Sequence, residues 1–439
     1  MKKRVISALL LSAVMLTFSS CGASGGTNSG DAPMTTAGGT KNGIAEGAPA
    51  SDAPSYDESY DAGEYRYDDS FSGDESIVGD YSEKSGSPFI RDKEQRRAGV
   101  LTGGEWRDNK EFSLWRHIFD LRDDWVDTAE TWKLSTTDRV YVKVQDTNGE
   151  PASGMTVKLS GNKTILWEAV SDSRGDAFLF PWLYSSDDNK TVPDEIIVES
   201  ADGRAVRTEL PAKRDDPDAP IVMTVPDSAP MRTKLDLMLM MDTTGSMGDE
   251  LLYLKTELSN VIDRVKGSTG ADVQLSVNFY RDTEDDYVVR DFGFTPNISI
   301  AIDHLNDQRA SGGGDYPEAV TTALDNGLYK HQWRDDSEKI MLLVLDAPPH
   351  YSDGIEYLKP LMTKAAQMGV RIIPVASSGV DTDTEFICRC LAMTTGGTYT
   401  FLTDDSGVGN SHLEPTIGSY EVEKLNDMLV RIIKGYFER

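Results

Sequence analysis

The hydrophobic pattern changes twice along this chain. From 139 to 225, apolar residues alternate with polar ones, as in Val140, Val142 and Val144, which is typical of half-buried strands. Beyond residue 231, unbroken apolar runs are followed by stretches in which apolar residues recur at helical spacing. This second pattern is typical of strands buried on both faces and separated by amphipathic helices. The chain is therefore predicted to contain an all-β region followed by an α/β region.

The α/β region, 231–439, is expected to form a doubly wound, mostly parallel sheet covered by helices on both faces. Two consecutive strand-like runs, at 273–280 and 287–292, predict a hairpin that supplies one antiparallel edge strand. The central strands are predicted at 235–242, 340–345 and 370–376, with a last strand at 399–402. Helices are predicted at 247–266, 298–309, 316–331, 355–368, 385–393 and 422–437.

The all-β region, 135–226, has short strands at even spacing, separated by Gly, Pro and Asp. This spacing predicts a β-sandwich. The region resembles carboxypeptidase-regulatory and immunoglobulin-like domains, which carry a D-x-x-G-x-A strand like the one from Asp172 to Ala177. No catalytic cluster is visible in it, so we expect an immunoglobulin-like sandwich that acts as a rigid spacer.

The first residues have the composition of an export signal. Residues 1–20 combine Lys2, Lys3 and Arg4 with a short apolar run and small residues before Cys21, which predicts a secretory signal peptide. The segment resembles a bacterial lipobox. That resemblance implies a lipid on Cys21 and an extracytoplasmic protein anchored to a membrane of the bacterial envelope. The alternative is ordinary cleavage that leaves Cys21 as a spare thiol.

Two further segments precede the β-sandwich. Residues 21–90 are predicted to be a disordered tether, because 56–84 holds ten acids against two bases and little apolar surface to bury. Docking of its tyrosines on a partner is the alternative. Residues 91–134 form a tryptophan-rich helical segment with four of the seven tryptophans. We expect it to pack on a neighbouring domain rather than to form a ligand groove.

Oxygen-bearing side chains follow the first α/β strand. Asp242, Thr244 and Ser246 lie in the turn between this strand and a helix, at the carboxyl end of the predicted sheet, where α/β proteins bind ligands. One carboxylate and two hydroxyls suit a hard divalent cation such as Mg²⁺, with Mn²⁺ or Ca²⁺ as alternatives. A simple helix cap is the other interpretation of the same residues.

Two later loops bring more acids to the same edge. A glycine-rich loop carries Asp315 and Glu318 at the head of a helix, and another apolar strand ends on Asp346. The glycines lack the Lys-Ser/Thr or G-x-G-x-x-G of a nucleotide cradle, so no bound nucleotide is predicted. Three loops of one α/β unit therefore favour a metal site over a cap.

These loops resemble the metal-ion-dependent adhesion site of the von Willebrand factor A family, also called the integrin inserted-domain fold. The resemblance implies that Glu318 is the metal ligand of the second loop, with Asp315 as the alternative, since D-x-P-E resembles integrin β-subunit domains. Thr244 stands where the family has its first Ser, which keeps the hydroxyl. In chain order the three loops are Asp242-x-Thr244-x-Ser246, Asp315-Tyr316-Pro317-Glu318 and Asp346.

The charge and the resemblance together limit the function. A formal net charge of −29 disfavours nucleic acid as a partner. No zinc-protease, nucleophile-elbow or Cys-His pattern is present, so we do not expect an enzyme. The resemblance implies a surface binding or adhesion protein whose cation engages an acidic group of a protein partner. A metal-stabilised structural or envelope-assembly protein is the alternative, and an extracytoplasmic hydrolase is the weaker one.

Overall fold

The structure is a computed structural model. It describes residues 99–183, 190–211, 213–214, 216–226, 231–407 and 411–438. The predicted signal peptide at 1–20, the predicted lipid anchor at Cys21 and the predicted tether at 21–90 lie outside these residues. Within the described ranges, each helix is too short or too polar to cross a bilayer.

The described chain begins with a strand and two helices, β1 (Thr102–Trp106), α1 (Phe112–Leu121) and α2 (Asp123–Trp132). Trp115 and Trp125 are fully buried. Trp115 stacks on Phe386 of the α/β domain, with ring centroids 6.2 Å apart. The tryptophans therefore hold the helical segment against a neighbouring domain, which confirms that prediction.

The all-β region forms two sheets. Its strands alternate buried and partly exposed residues, as expected from the sequence; in β2 every second residue is buried. One sheet has the order β5-β2-β8 and the other β4-β3-β6-β7. The predicted strands are confirmed, whereas the immunoglobulin-like type stays a prediction. The strands are β2 (Val140–Gln145), β3 (Thr156–Gly161), β4 (Thr164–Val170), β5 (Asp176–Leu179), β6 (Glu195–Glu199), β7 (Ala205–Glu209) and β8 (Ile221–Thr224).

The α/β domain alternates strands and helices as predicted. Its strands are β9 (Lys234–Asp242), β10 (Asp272–Tyr280), β11 (Val289–Arg290), β12 (Ser337–Leu345), β13 (Val370–Ala376), β14 (Tyr399–Leu402) and β15 (Glu423–Lys424). Its helices are α3 (Gly248–Thr269), α4 (Ile298–Asn306), α5 (Val320–Tyr329), α6 (Tyr351–Met368), α7 (Thr382–Thr395) and α8 (Leu425–Gly435).

The sheet of this domain has eight strands in the order β11-β10-β9-β12-β13-β14-β1-β15. Strands β10, β9, β12, β13 and β14 are parallel, and β11 pairs antiparallel with β10 at one edge as predicted. The other edge differs from the prediction. There β1, from before the β-sandwich, pairs antiparallel with β14 and with β15. The sheet therefore has more than one antiparallel strand, and the predicted start of the domain at 231 omits one of them.

Strand β9 divides the core of the α/β domain into two halves. Met238 and Met240 pack on one face of the sheet, and Leu237, Leu239 and Met241 pack on the other. Both sets are almost fully buried. Burial on both faces explains why the sequence shows an unbroken apolar run instead of alternation.

Candidate metal centre

The first loop is organised by Asp242, the last residue of β9. Its side chain is fully buried. Oδ1 accepts hydrogen bonds from the backbone N–H of Thr244 at 2.8 Å and from the Thr244 hydroxyl at 2.7 Å. The Thr244 hydroxyl also lies 3.3 Å from that of Ser246. The second oxygen, Oδ2, has no hydrogen-bond partner among the described residues. The loop thus holds a buried carboxylate with one unused oxygen.

The second loop brings Glu318 to the first. Gly312 and Gly313 both have positive φ, 83° and 76°, which L side chains rarely adopt. A Cβ on Gly313 would lie 3.0 Å from Glu318 Oε1 and 3.3 Å from Thr244 Cβ, so this glycine passes closely between the two. Glu318 is 4% exposed, and its Oε2 has no hydrogen-bond partner in the described part of the chain.

The third loop follows β12. Asp346 is 4% exposed and its carboxylate is hydrogen-bonded to the side chain of Ser246. Its Oδ1 has no hydrogen-bond partner among the residues that the structure describes. The second and third loops are joined by a hydrogen bond from the Glu318 N–H to the Pro348 carbonyl, 2.9 Å long. Six metal-site residues were predicted. All of them except Asp315 therefore belong to one hydrogen-bonded or closely packed group.

The charges at this group repel one another. Burial raises the pKa of Asp242 to about 8, and the neighbouring Asp346 carboxylate acts in the same direction. Burial likewise raises the pKa of Glu318 to about 9, assisted by Asp242, Asp282 and Asp346. The pKa of Asp346 is also raised by burial. Buried carboxylates are normally paired or bound to metals.

The donor set fits a hard divalent cation. Asp242, Glu318 and Asp346 each present a buried oxygen that no described group satisfies, and Thr244 and Ser246 add hydroxyls. Oxygen-only sites of this kind suit Mg²⁺, Mn²⁺ or Ca²⁺ rather than softer metals. A helix cap alone would satisfy backbone N–H groups and would leave no reason for three unsatisfied carboxylates.

Asp315, the alternative ligand in the sequence analysis, lies in a second group. It is exposed, and one side-chain oxygen falls within 4.8 Å of ligand atoms of Asp282 and His350. His350 Nε2 lies 2.5 Å from Asp282 Oδ1. These three residues line a cavity of about 530 Å³ together with Asp285. Glu318, and not Asp315, is thus the second-loop acid that joins Asp242 and Asp346.

Asp282 and His350 were not among the predicted site residues. The signal for Asp282 is its position after β10: that strand is parallel to β9 with Tyr280 beside Asp242, so residues that follow either strand emerge at the same edge. His350 ends the third loop four residues after Asp346. Counting acids and histidines two to five residues beyond every central strand would have found both.

Tyr316 connects two loops at the rim of the site. It is 43% exposed, yet its hydroxyl donates to the Gly379 carbonyl at 2.9 Å and accepts from the Asp381 N–H at 3.1 Å. The second loop is thereby joined to the loop after β13. This contact fixes the backbone that carries Glu318.

This chain shows similarity to known proteins in three comparisons. The family described as von Willebrand factor A domain matches residues 236–405. A protein of Acanthamoeba polyphaga mimivirus, described as an ariadne-like RING finger protein R811, is 33% identical over 120 residues, which are 27% of this chain and 12% of that protein. The conserved hypothetical protein BatB from Bacteroides thetaiotaomicron has a TM-score of 0.33 at 12% identity, covering 47% of this chain and all of that one.

The family match spans the strands that carry the site, from the start of β9 to the end of β14. It includes all three loops and the parallel order β10-β9-β12-β13-β14. Domains of this family commonly mediate protein–protein interactions and often bind a divalent metal. Residues 236–405 of this chain form a von Willebrand factor A domain.

Proposed function

We propose that this chain is a metal-dependent binding protein rather than an enzyme. In this proposal a divalent cation is held by Asp242, Thr244, Ser246, Glu318 and Asp346, and an acidic group of a protein partner is the ligand. The observation that carries the proposal is the convergence of three buried carboxylates, each with an oxygen that lacks a partner among described groups. A cation would satisfy all three oxygens at once.

Two of the proposed ligands are neutral hydroxyls, which do not cancel the positive charge of the cation. The cation can therefore still attract an acidic group. Thr244 donates its hydrogen to Asp242, and Ser246 is hydrogen-bonded to Asp346. A hydroxyl that donates to a carboxylate still offers its lone pairs to a cation. In this arrangement the carboxylates orient the two hydroxyls through these hydrogen bonds. When bound, the cation supplies positive charge and a coordination position for a partner's carboxylate.

The rim residues favour a protein partner over a small molecule. Tyr316 and Tyr351 are 43% and 53% exposed near the second and third loops, and exposed tyrosines are common at protein interfaces. Asp315 and Asp282 add negative charge beside the site, which would repel an acidic ligand that did not engage the cation directly. The partner is therefore expected to place one carboxylate on the cation and apolar surface on the tyrosines.

The proposed cellular setting comes from the sequence. The export signal at 1–20 and the cysteine at position 21 support a lipoprotein anchored to a membrane outside the cytoplasm. The acidic segment at 56–84 would then separate the binding domain from the membrane surface. Globomycin-sensitive processing and labelling with a radioactive fatty acid, both lost in Cys21→Ala, would test this part of the proposal.

Calorimetry of the purified chain with magnesium, manganese and calcium tests the cation site. We expect saturable binding by the wild type, none by Asp242→Asn, and unchanged binding by the control Asp263→Asn, whose side chain is exposed on α3. Partner capture from surface extracts, with and without EDTA, then tests the binding function. Capture that EDTA and Asp242→Asn leave unchanged would contradict the proposed role of the cation.

The same experiments separate the alternatives. A metal-stabilised structural or envelope-assembly protein would bind the cation and lose thermal stability in EDTA, while its partner contacts would persist. An extracytoplasmic hydrolase would turn over a peptide or glycan panel. Loss of capture together with loss of cation binding, and no turnover, supports the adhesion proposal.

A further inference from the structure

A second polar cavity lies far from the metal loops in sequence, between α1 and the β-sandwich. Its volume is about 190 Å³, and all its lining residues fall between Phe112 and Pro217. Three arginines line it: Arg116 on α1, Arg139 directly before β2, and Arg214 in the connection between β7 and β8. We call it the arginine cavity. Such a cluster is unexpected in a chain with a net charge of −29.

Each of the three arginines has a buried N–H group that finds no partner among the described residues. The atoms are Nε of Arg116, Nε of Arg139 and Nη1 of Arg214, and no described group accepts a hydrogen bond from them. Arg139 is 4% exposed. Unsatisfied buried donors are rare in native proteins, and each costs about 1–3 kcal/mol. Three of them around one cavity indicate an acceptor that the described residues do not provide.

The contacts that these arginines do make are mostly neutral. Arg139 Nη1 donates to the Asn109 carbonyl at 2.5 Å, and its guanidinium lies 4.0 Å from the centre of the Phe112 ring. Arg214 Nη2 donates to the Arg139 carbonyl at 3.0 Å. Among the described residues, Arg116 alone of the three meets a carboxylate directly, with both oxygens of Asp218 at 3.0 Å.

The arginines of the cavity lower one another's pKa, and nearby acids oppose this effect. Burial lowers the pKa of Arg139 to about 10; Asp218 acts against this, while Arg214 and Arg116 add to it. Burial also lowers the pKa of Arg214, and Asp218 and Asp216 act against this. Asp138 is the one acid among the described lining residues. A further negative charge in the cavity would relieve the repulsion between the three guanidinium groups.

The shape and the chemistry of the cavity specify the ligand class. Guanidinium groups present planar pairs of N–H donors that match the oxygens of carboxylates and phosphates. A volume of about 190 Å³ corresponds to roughly six waters at about 30 Å³ each, which is ample for one such group. Much of the remaining wall is apolar, with Trp182 and several prolines, and Thr137 and Asp138 complete it.

We propose that the arginine cavity binds an oxyanion, the phosphate or carboxylate group of a small ligand, through Arg116, Arg139 and Arg214. No lining residue comes from the von Willebrand factor A domain, so this site is separate from the metal centre. The two sites take ligands of opposite charge: a cation at the sheet edge and an anion beside the β-sandwich.

Calorimetry of the purified chain in EDTA, at constant ionic strength, tests the proposal with inorganic phosphate in one arm and succinate in the other. We expect saturable binding in at least one arm. Arg214→Gln should weaken it at least about tenfold. Arg214 is only partly buried and lies in a connection between strands, so the fold should persist, and circular dichroism checks this. Arg207→Gln is the matched control, since Arg207 is a surface arginine paired with Glu195 on the same sandwich.

The results of the two arms distinguish a phosphate-bearing ligand, a carboxylate ligand and the absence of a site. Binding of phosphate alone assigns a phosphate-bearing ligand, and binding of succinate alone assigns a carboxylate. Absence of binding in both arms up to about 10 mM, an affinity so weak that it leaves no specific site, would overturn the proposal. Equal binding by wild type and Arg214→Gln would overturn it too. Asp242→Asn should bind the anion normally, so failure of the metal centre and failure of this site remain distinguishable.

Discussion

In EDTA at pH 7, Asp242→Asn should raise the free energy of unfolding, although it removes a proposed metal ligand. Burial and Asp346 raise the pKa of Asp242 from 3.8 to about 8 in the folded chain. Between these two values the folded state binds more protons than the unfolded state, so the free energy of unfolding falls as the pH rises through this window. At pH 7 the pH lies about three units above the unfolded-state pKa of 3.8. The free energy of unfolding is therefore lowered by about 4 kcal/mol.

Asparagine removes the group that must take up a proton on folding, and it keeps most of the geometry. Its Oδ1 can still accept from the N–H and the hydroxyl of Thr244, which lie 2.8 and 2.7 Å away. Its amide nitrogen takes the position of Oδ2, where no described partner is present. An unsatisfied buried donor costs about 1–3 kcal/mol. The expected net gain in EDTA is therefore about 1–3 kcal/mol.

Urea unfolding followed by tryptophan fluorescence measures this gain. Wild type, Asp242→Asn and the exposed control Asp263→Asn are compared in EDTA at pH 7, and the control should stay within about 0.5 kcal/mol of wild type. Magnesium at about one hundred times its dissociation constant should then stabilise the wild type by about 2.7 kcal/mol. Asp242→Asn should gain nothing. The stability advantage of the variant over the wild type therefore shrinks, or the wild type becomes the more stable protein.

Two results would refute the reasoning. If Asp242→Asn is less stable than wild type in EDTA at pH 7, burial does not raise the pKa of Asp242 to about 8. If magnesium stabilises wild type and variant equally, the cation binds elsewhere. Raising the pH from 5 to 8 in EDTA adds a check, because the wild type should lose stability more steeply than the variant.

Three further changes test a buried ion pair, a close backbone contact and the rim of the site. Arg389→Met leaves the buried carboxylates of Asp108 and Glu385 without their cation and should lower the free energy of unfolding by about 3–5 kcal/mol in urea titrations. Gly397→Ala places a methyl group against the main chain of β13 and should cost about 1–3 kcal/mol, measured as a lower melting temperature. Tyr316→Phe removes the hydroxyl bonds to the loop after β13; hydrogen exchange in the second metal loop should accelerate, with a stability loss of about 1 kcal/mol.

The sequence predicted the centre of the α/β sheet well, for a physical reason. A strand buried on both faces must be apolar at every position, so β9 stands out without knowledge of its neighbours. The residue that ends such a strand lies at the ligand-binding edge, and this placed Asp242 and Asp346 correctly. Local rules were sufficient because the features concerned are themselves local.

Other features depend on contacts that no local pattern encodes. Strand β1 has the sequence TGGEW, with two glycines and no alternation, and its place in the sheet is set by pairing of Gly104 with Phe401, almost three hundred residues away. The choice between Glu318 and Asp315 depends on the path of the glycine loop, where positive φ at Gly312 and Gly313 turns the backbone. Glycine permits that path but does not predict it.

The long-range contacts also decide which part of the chain is needed for a complete metal centre. Helix α3 begins directly after the first metal loop, and its Glu257 accepts hydrogen bonds from the N–H groups of Gly99 at 2.6 Å and Val100 at 3.1 Å. A fragment that starts at residue 231 would leave this carboxylate without those two donors and would expose the edge of β14 that β1 covers. Both losses act on elements that fix the metal loops, since α3 and β14 belong to the same packed domain. If the proposed cation site exists, we therefore expect its affinity to depend on the segment that begins at Gly99 as well as on the five proposed ligands, all of which lie beyond residue 240.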